Sequence, residues 1–342
     1  MNSVPLRPRS VAGRVVAVTF DDLPVISVVH GDLESQRRIT TTLLEGLRAH
    51  RVPAIGFVNE RKLESQGTTE PARVDLLRRW LDAGLELGNH TYGHPDLHCT
   101  PATEFEADVI RGEPVTRALL ATRGMELRYF RHPFLHTGTD LATKCHVEEF
   151  LARHGYRVAP VTIYTEDYLF AAAYDRSNQR GDSRAARKVA DAYVPYIESQ
   201  FVYYERLSQR LLGYELPQTL VLHANTINAE TIDGLVAMMK RRGYAFVPLE
   251  RALADQAYAV ADPYVGSEGI SWLQRWALNR GLGEDYLDGE PVTPRFVRVR
   301  AEVGRIDQLR RSWDRRSRAL VASLKAAVRA SGVMPRRRRS AG

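Results

Sequence analysis

Val15-Val16-Ala17-Val18-Thr19-Phe20-Asp21-Asp22 decides how this chain is read. The apolar run, rich in β-branched residues, predicts a buried strand over 15–20. Two adjacent carboxylates at the tip of such a strand are costly unless something uses them. Successive strand side chains point to opposite faces. The pair can therefore divide its labour, one acid holding a cation while the other handles a proton.

Working outward, strand and helix patterns alternate. Further strands are expected over 54–58, 85–88, 127–131, 157–163, 218–223 and 245–247. Helices are expected over 33–50, where Ile39, Leu43, Leu44 and Leu47 have helical spacing, and over 71–83, opened by Pro71 and stopped by Gly84. Others are expected over 100–123 with Thr100 as cap, 140–154, 183–212 and 229–242. Seven strands alternating with helices argue for a parallel α/β fold. The polar, potentially reactive residues follow strands, as they do where a site is built from the loops at strand C-terminal ends. Periodicity alone leaves a closed barrel and an open doubly wound sheet both standing.

Two stretches exceed a minimal alternating fold. Residues 170–216 are long for one crossover and carry Tyr174, Tyr193, Tyr196, Tyr203 and Tyr204, read as a packing helix pair rather than a lid over substrate. Residues 257–342 begin with an amphipathic segment at 270–281, containing Trp272, Leu273, Trp276 and Leu278, followed by a charge-rich stretch read as helical over 297–330.

Of the net charge of +7, Arg336–Arg339 supply four, leaving +3 for the rest. A terminal arginine run reads as a solvated tail, so no specific nucleic-acid partner is expected. Two cysteines, Cys99 and Cys145, make no disulfide framework. No apolar run reaches the ~20 residues that span a bilayer. The first residues carry Arg7, Arg9 and Arg14 without a leader's apolar core. The expectation is a cytoplasmic protein, or an exported one if a leader precedes this start. Oligomeric state is not legible.

His90 and His94 lie four residues apart, a spacing that sets two imidazoles on one face of a helical turn within reach of one ion. His98 lies four further on, beyond Pro95, and is read as structural. Arg131-His132-Pro133-Phe134 follows the strand over 127–131, Asp167-Tyr168 follows 157–163, and His223 ends 218–223. His132 and His136 flank the arginine element as possible substrate contacts.

Together these motifs resemble the polysaccharide deacetylases of the NodB-homology type (carbohydrate esterase family 4). Thr19-Phe20-Asp21-Asp22 matches that family's Thr-Phe-Asp-Asp-Gly, with Leu23-Pro24 in place of the glycine turn. His90-Thr91 with His94 matches its histidine element, and Arg131-His132-Pro133-Phe134 its Arg-x-Pro-Tyr/Phe element. Val221-Leu222-His223 resembles its Leu-x-His element. Asp167-Tyr168 resembles the fourth, with Tyr168 for tryptophan and Tyr164 where a carboxylate is usual.

The resemblance implies a distorted (β/α) barrel of about seven parallel strands. With the composition and charge shifts, the chain divides into a tail at 1–13, a NodB-like deacetylase domain at 14–256 with a helical insertion at 170–216, a helical C-terminal extension at 257–334 and a basic tail at 335–342. The resemblance implies one divalent cation on Asp22, His90 and His94. Zn²⁺ is the first choice, and Co²⁺, Ni²⁺, Mn²⁺ or Fe²⁺ suit the same donors. Asp21 is then the general base, held by the guanidinium of Arg131, and His223 the general acid, oriented by Asp167, with Glu166 as an adjacent competitor. Pro133, Phe134 and Tyr168 border the substrate and oxyanion. The implied reaction is hydrolysis of an N-acetyl group on an amino-sugar oligo- or polysaccharide. The departures at Leu23-Pro24 and Tyr164 keep one alternative, a cyclic amide or imide hydrolase of the allantoinase-like branch; a second is a non-catalytic glycan-binding relative, against which Asp21, Arg131 and His223 argue.

Overall fold

A computed structural model describes residues 13–302. The basic tail at 335–342, and the helix expected over 297–330 beyond residue 302, lie outside the described residues. The central strand is β1 (Arg14–Leu23), buried along nearly its whole length. Parallel to it run β2 (Ala54–Val58) and β6 (Gln218–His223), and β7 (Tyr244–Phe246) pairs with its first residues. Outward from β2 lie β3 (Glu86–Asn89), β4 (Tyr129–Phe130) and β5 (Arg157–Val158), all parallel, for seven strands in the sheet.

The chain following β5 changes partners. Ala159 N–H donates to Phe130 O on β4 (2.8 Å), whereas Ile163 N–H donates to Thr219 O (3.0 Å) and Ile163 O accepts from Val221 N–H (3.1 Å) on β6. The segment that continues β5 thus bonds to β4 on one side of the sheet and to β6 on the other, and curls the sheet into the distorted barrel expected. The partner change also explains why the strand expected over 157–163 is formed only at Arg157–Val158, with a single bridge at Ile163.

Helices α1 (Leu33–Ala49) and α2 (Pro71–Asp82) fall where apolar spacing places them. The single helix expected over 100–123 is two, α3 (Ala102–Arg111) and α4 (Pro114–Ala121). Pro114 lacks the N–H that would continue the first, and opens the second. Thr100 is not the cap: Pro101 holds that position without a side-chain bond. After α5 (Leu141–Arg153), the long crossover forms α6 (Asp167–Gln179) and the 30-residue α7 (Ser183–Leu212). Its tyrosines pack. Tyr193, Tyr196, Tyr203 and Tyr204 are buried, and the Tyr203 and Tyr204 hydroxyls donate to Leu287 O (2.6 Å) and Glu290 (2.7 Å).

α8 (Thr226–Arg241) is followed, after β7, by the short α9 (Leu249–Ala252). In the stretch beyond, α10 (Trp272–Asn279) is opened by a capping box between Ser271 and Gln274 and buries Trp272, Leu273 and Trp276. It docks on the partner-changing segment: Trp272 N–H donates to Val161 O (2.8 Å) and Ser271 Oγ to Thr162 O (2.7 Å). The last described helix is α11 (Arg295–Arg300).

Candidate active site

The strand register brings the carboxylates and His223 together, because Asp21 pairs with His223 across β1 and β6. Simple alternation would separate Asp21 from Asp22. Instead Asp22 has φ 68°, in the left-handed region, and both carboxylates come into one site. Leu23, at the position of the family glycine, is fully buried and packs over Gly56, where an added Cβ would come within 2.1 Å of its Cδ1.

His90 and His94 are not on a helix. His90 follows β3 and its N–H donates to Val58 O (3.0 Å). The chain then turns through Thr91 (φ 67°) and His94 (φ 60°). Asn89 Oδ1 accepts from Thr91 N–H (2.6 Å), Thr91 Oγ1 from His94 N–H (2.9 Å), and Asp108 from Gly93 N–H (2.8 Å). Gly112 lets α3 approach this turn, since a Cβ there would lie 2.6 Å from Thr91 C and Tyr92 N. The expected pairing of the rings is present, but a hydrogen-bonded turn produces it.

Ligand-type atoms of Asp22, His90 and His94 all lie within 4.8 Å of one another. His94 Nε2 is 3.9 Å from Asp22 Oδ1, and the imidazoles meet edge to face at 4.8 Å. Bonds of 2.0–2.2 Å to a tetrahedral ion need donors about 3.4 Å apart, so a small closure suffices. His90 suits the task. Burial chiefly lowers its pKa, and its Nδ1 lies 2.8 Å from Arg131 O. A carbonyl can only accept, so Nδ1 carries the proton and Nε2 offers a lone pair. Burial opposes the charge on Asp22, but Lys62, His94, His90 and His223 outweigh it and hold the carboxyl well below its usual range. Lys62, which sequence reasoning missed, donates to both Asp22 Oδ1 (3.0 Å) and Asp22 O (2.9 Å). Its place in the short 3-10 turn Glu60–Leu63 after β2 gave no pattern that would have marked it.

Asp21 is buried beside this group, with Oδ2 3.9 Å from His90 Nε2. Arg131, fully buried, reaches the same Oδ2 with Nη1 (3.3 Å). The pairing is single rather than forked, because Nη2 donates to Thr19 Oγ1 (3.0 Å). Asp21 Oδ1 is buried with no hydrogen-bond partner among the described residues, which leaves one carboxylate oxygen for a ligand.

On the other side, His223 Nδ1 lies 2.7 Å from Asp167 Oδ1. The second Asp167 oxygen accepts from His223 N–H (2.8 Å), Asn225 Nδ2 (2.9 Å) and Asn228 Nδ2 (2.6 Å). Burial would lower the His223 pKa, but the charges of Asp167, Asp22 and Asp21 override it and push the imidazole up to about 9. Its Nε2 is 4.0 Å from Asp22 Oδ2, and the Tyr168 ring stands edge-on at 5.8 Å. Glu166 does not compete, since it accepts from the Thr293 hydroxyl (2.6 Å). Asn225 and Asn228 were also missed. Asn225 carries the usual signature of a helix cap, and accepts from Asn228 N–H (3.0 Å) at the start of α8.

Pro133 opens a tight turn in which Phe134 (φ 58°) and Leu135 (φ 57°) are both left-handed, and the Phe134 ring meets His94 edge to face at 4.5 Å. His132 points away, fully buried between Phe105 and Phe130. Burial, reinforced by Arg275 and Lys144, holds its pKa well below the ordinary value. Asp96, His98 and His136 form a second group of ligand-type atoms. The His98 and His136 rings are stacked 3.7 Å apart at 4°, so their lone pairs lie in parallel planes and do not converge.

The family model described as polysaccharide deacetylase matches residues 9–159. That stretch holds Asp21, Asp22, His90, His94, Arg131 and Pro133, and leaves Asp167 and His223 outside. The chain is 31% identical over 137 residues to a chitooligosaccharide deacetylase of Sinorhizobium fredii, covering 40% of this chain and 54% of the relative. It is 29% identical over 119 residues to a peptidoglycan-N-acetylglucosamine deacetylase of Bacillus cereus, covering 35% and 36%. The chain thus spans about half or less of the length of these relatives. Among solved structures, the chitin deacetylase of Colletotrichum lindemuthianum aligns over 71% of this chain and 88% of its own, with TM-score 0.46 and 22% identity.

Proposed function

The chain belongs, through residues 9–159, to the polysaccharide deacetylase family, and on that premise we propose that it removes N-acetyl groups from an amino-sugar oligo- or polysaccharide. The observation that carries this reading is the meeting of three parts in one site: the Asp22, His90 and His94 donors, the half-satisfied carboxylate of Asp21, and the Asp167-held imidazole of His223. Binding a glycan needs no proton-transfer groups, and this site has two.

A divalent cation on Asp22, His90 and His94, Zn²⁺ first among candidates, would supply Lewis acidity toward the amide carbonyl and acidify water. Asp21 takes the proton of the attacking water through its Oδ1, while Arg131 fixes the other oxygen. Phe134 walls the acetyl group, and the backbone edge after Pro133 faces the developing oxyanion, where one such donor contributes about 3–4 kcal/mol. An amine leaves an amide poorly unless protonated. His223, protonated and facing the site, delivers that proton from Nε2, and Asp167 stabilises the imidazolium and fixes its orientation. Tyr168 lines the same side.

Acetate release from a panel of N-acetylglucosamine oligomers and peptidoglycan fragments tests this, with metal content measured on the same sample. Acetate release that scales with bound metal supports it. Hydrolysis of cyclic ureides alone, or glycan binding without turnover, contradicts it.

A further inference from the structure

We propose that the segment 262–276, beyond the matched family region, is a strap that positions the 133–137 turn over the metal-type site. The catalytic half of this inference rests on the deacetylase reading above. The turn contains two successive left-handed non-glycine residues, Phe134 and Leu135. Such a backbone persists only where its surroundings over-determine it.

The surroundings come largely from the strap. Arg275, fully buried on α10, donates through Nη2 to Leu135 O and through Nη1 to Thr137 Oγ1 (3.1 Å). The same Nη1 reaches Asp262 Oδ2 (3.1 Å), and Nε donates to Ile270 O (3.1 Å), which ties the two ends of the strap together. Lys144 on α5 is also buried. It donates to Asp262 Oδ2 (2.8 Å) and Tyr264 O (3.1 Å) and lies 3.4 Å from Thr137 Oγ1. The two buried cations share Asp262, with Glu148 Oε1 3.7 Å from Lys144 Nζ, and still need further acceptors, which the turn supplies in Leu135 O and Thr137 Oγ1. Gly269 lies directly against the turn: a Cβ there would stand 1.7 Å from Phe134 O and 3.1 Å from His136 Cδ2. The Phe134 ring in turn meets His94. Strap, turn and metal-type site are therefore in continuous contact. Arg275, Lys144, Asp262 and Gly269 are positioning residues, since none touches the site itself.

Amide hydrogen exchange on the full, Zn²⁺-loaded chain reads the turn without any substrate. Leu135 and His136 N–H close it on His132 O (3.1 Å) and Pro133 O (3.0 Å). Gly269→Ala is expected to speed exchange of these two amides at least tenfold and to leave β1 and β6 amides and Zn²⁺ stoichiometry unchanged. It is also expected to lower kcat for acetate release about tenfold. Val292→Ala, an exposed site outside the strap, should change none of these. Unchanged exchange in Gly269→Ala overturns the strap, as does faster exchange with full kcat. If Gly269→Ala does not fold, Arg275→Gln is read the same way, and loss of the fold in both makes the segment a general folding element and overturns the proposal. A wild-type chain that releases no acetate removes the deacetylase reading alone, because the exchange result stands without it.

Discussion

In the proposed reading Asp22, His90 and His94 supply three donors to one cation, and substitutions among them share one consequence. Asp22→Ala or His90→Ala should abolish metal binding and acetate release together, measured as metal content and turnover on one preparation. Asp21→Asn should keep the metal and lose roughly 10²–10⁴-fold in kcat, the usual range for a lost general base. His223→Ala should do the same, since it lies on the far side of the site. Asp167→Ala is different, because it removes the acceptor of four donors, Asn225 Nδ2, Asn228 Nδ2, the His223 amide and His223 Nδ1. It should cost about 1–3 kcal/mol of stability by denaturant titration, besides turnover. At this scale Asp21, Asp22, His90, His94 and Arg131 were legible in the sequence because each stands in a short motif at or just past a strand end. Lys62, Asn225 and Asn228 were not, because their roles depend on where separate loops meet. The other arm of Arg131 was equally hidden, since only the folded sheet puts Thr19 beside it.

The elements set these side chains by close approach as much as by strand register. The His90–His94 turn rests on α3 through Gly112, and a methyl group there meets the backbone at 2.6 Å. Gly112→Ala should therefore shift the turn, weaken metal affinity at least tenfold by titration, and lower the melting temperature. Gly93→Ala, whose Cβ would meet the end of the Asp108 side chain, nearest Oδ2 at 3.3 Å, should do much less. The alternation of strands and helices was readable from apolar periodicity, and α1, α2 and α5 fall within a residue or so of expectation. Periodicity erred where another constraint ruled. Pro114 splits one amphipathic run into two helices. The segment after β5 leaves one strand for another, so its apolar run is longer than its ladder. The four-residue histidine spacing suggested a helix because spacing carries no information about the left-handed residues at 91 and 94.

Across the whole molecule, the barrel's polar end is held together by groups that an ion would draw closer. A ligand that binds only the folded chain stabilises it by about 2.7 kcal/mol at a concentration one hundred times its Kd. Removing metal with a chelator should lower the melting temperature, and Zn²⁺ should restore it. The same treatment of Asp22→Ala should leave the melting temperature unmoved. The stretch beyond β7 was the least legible part of the chain. Its amphipathic helix was visible in Trp272, Leu273 and Trp276, but its partner was not, because Arg275 makes its contacts with a turn more than 120 residues earlier in the chain. The most direct measurement of the central claim is Zn²⁺ titration of the wild-type chain beside His94→Ala. The account predicts one tightly bound ion per wild-type chain and loss of that site on substitution. One ion bound with undiminished affinity by His94→Ala would contradict it.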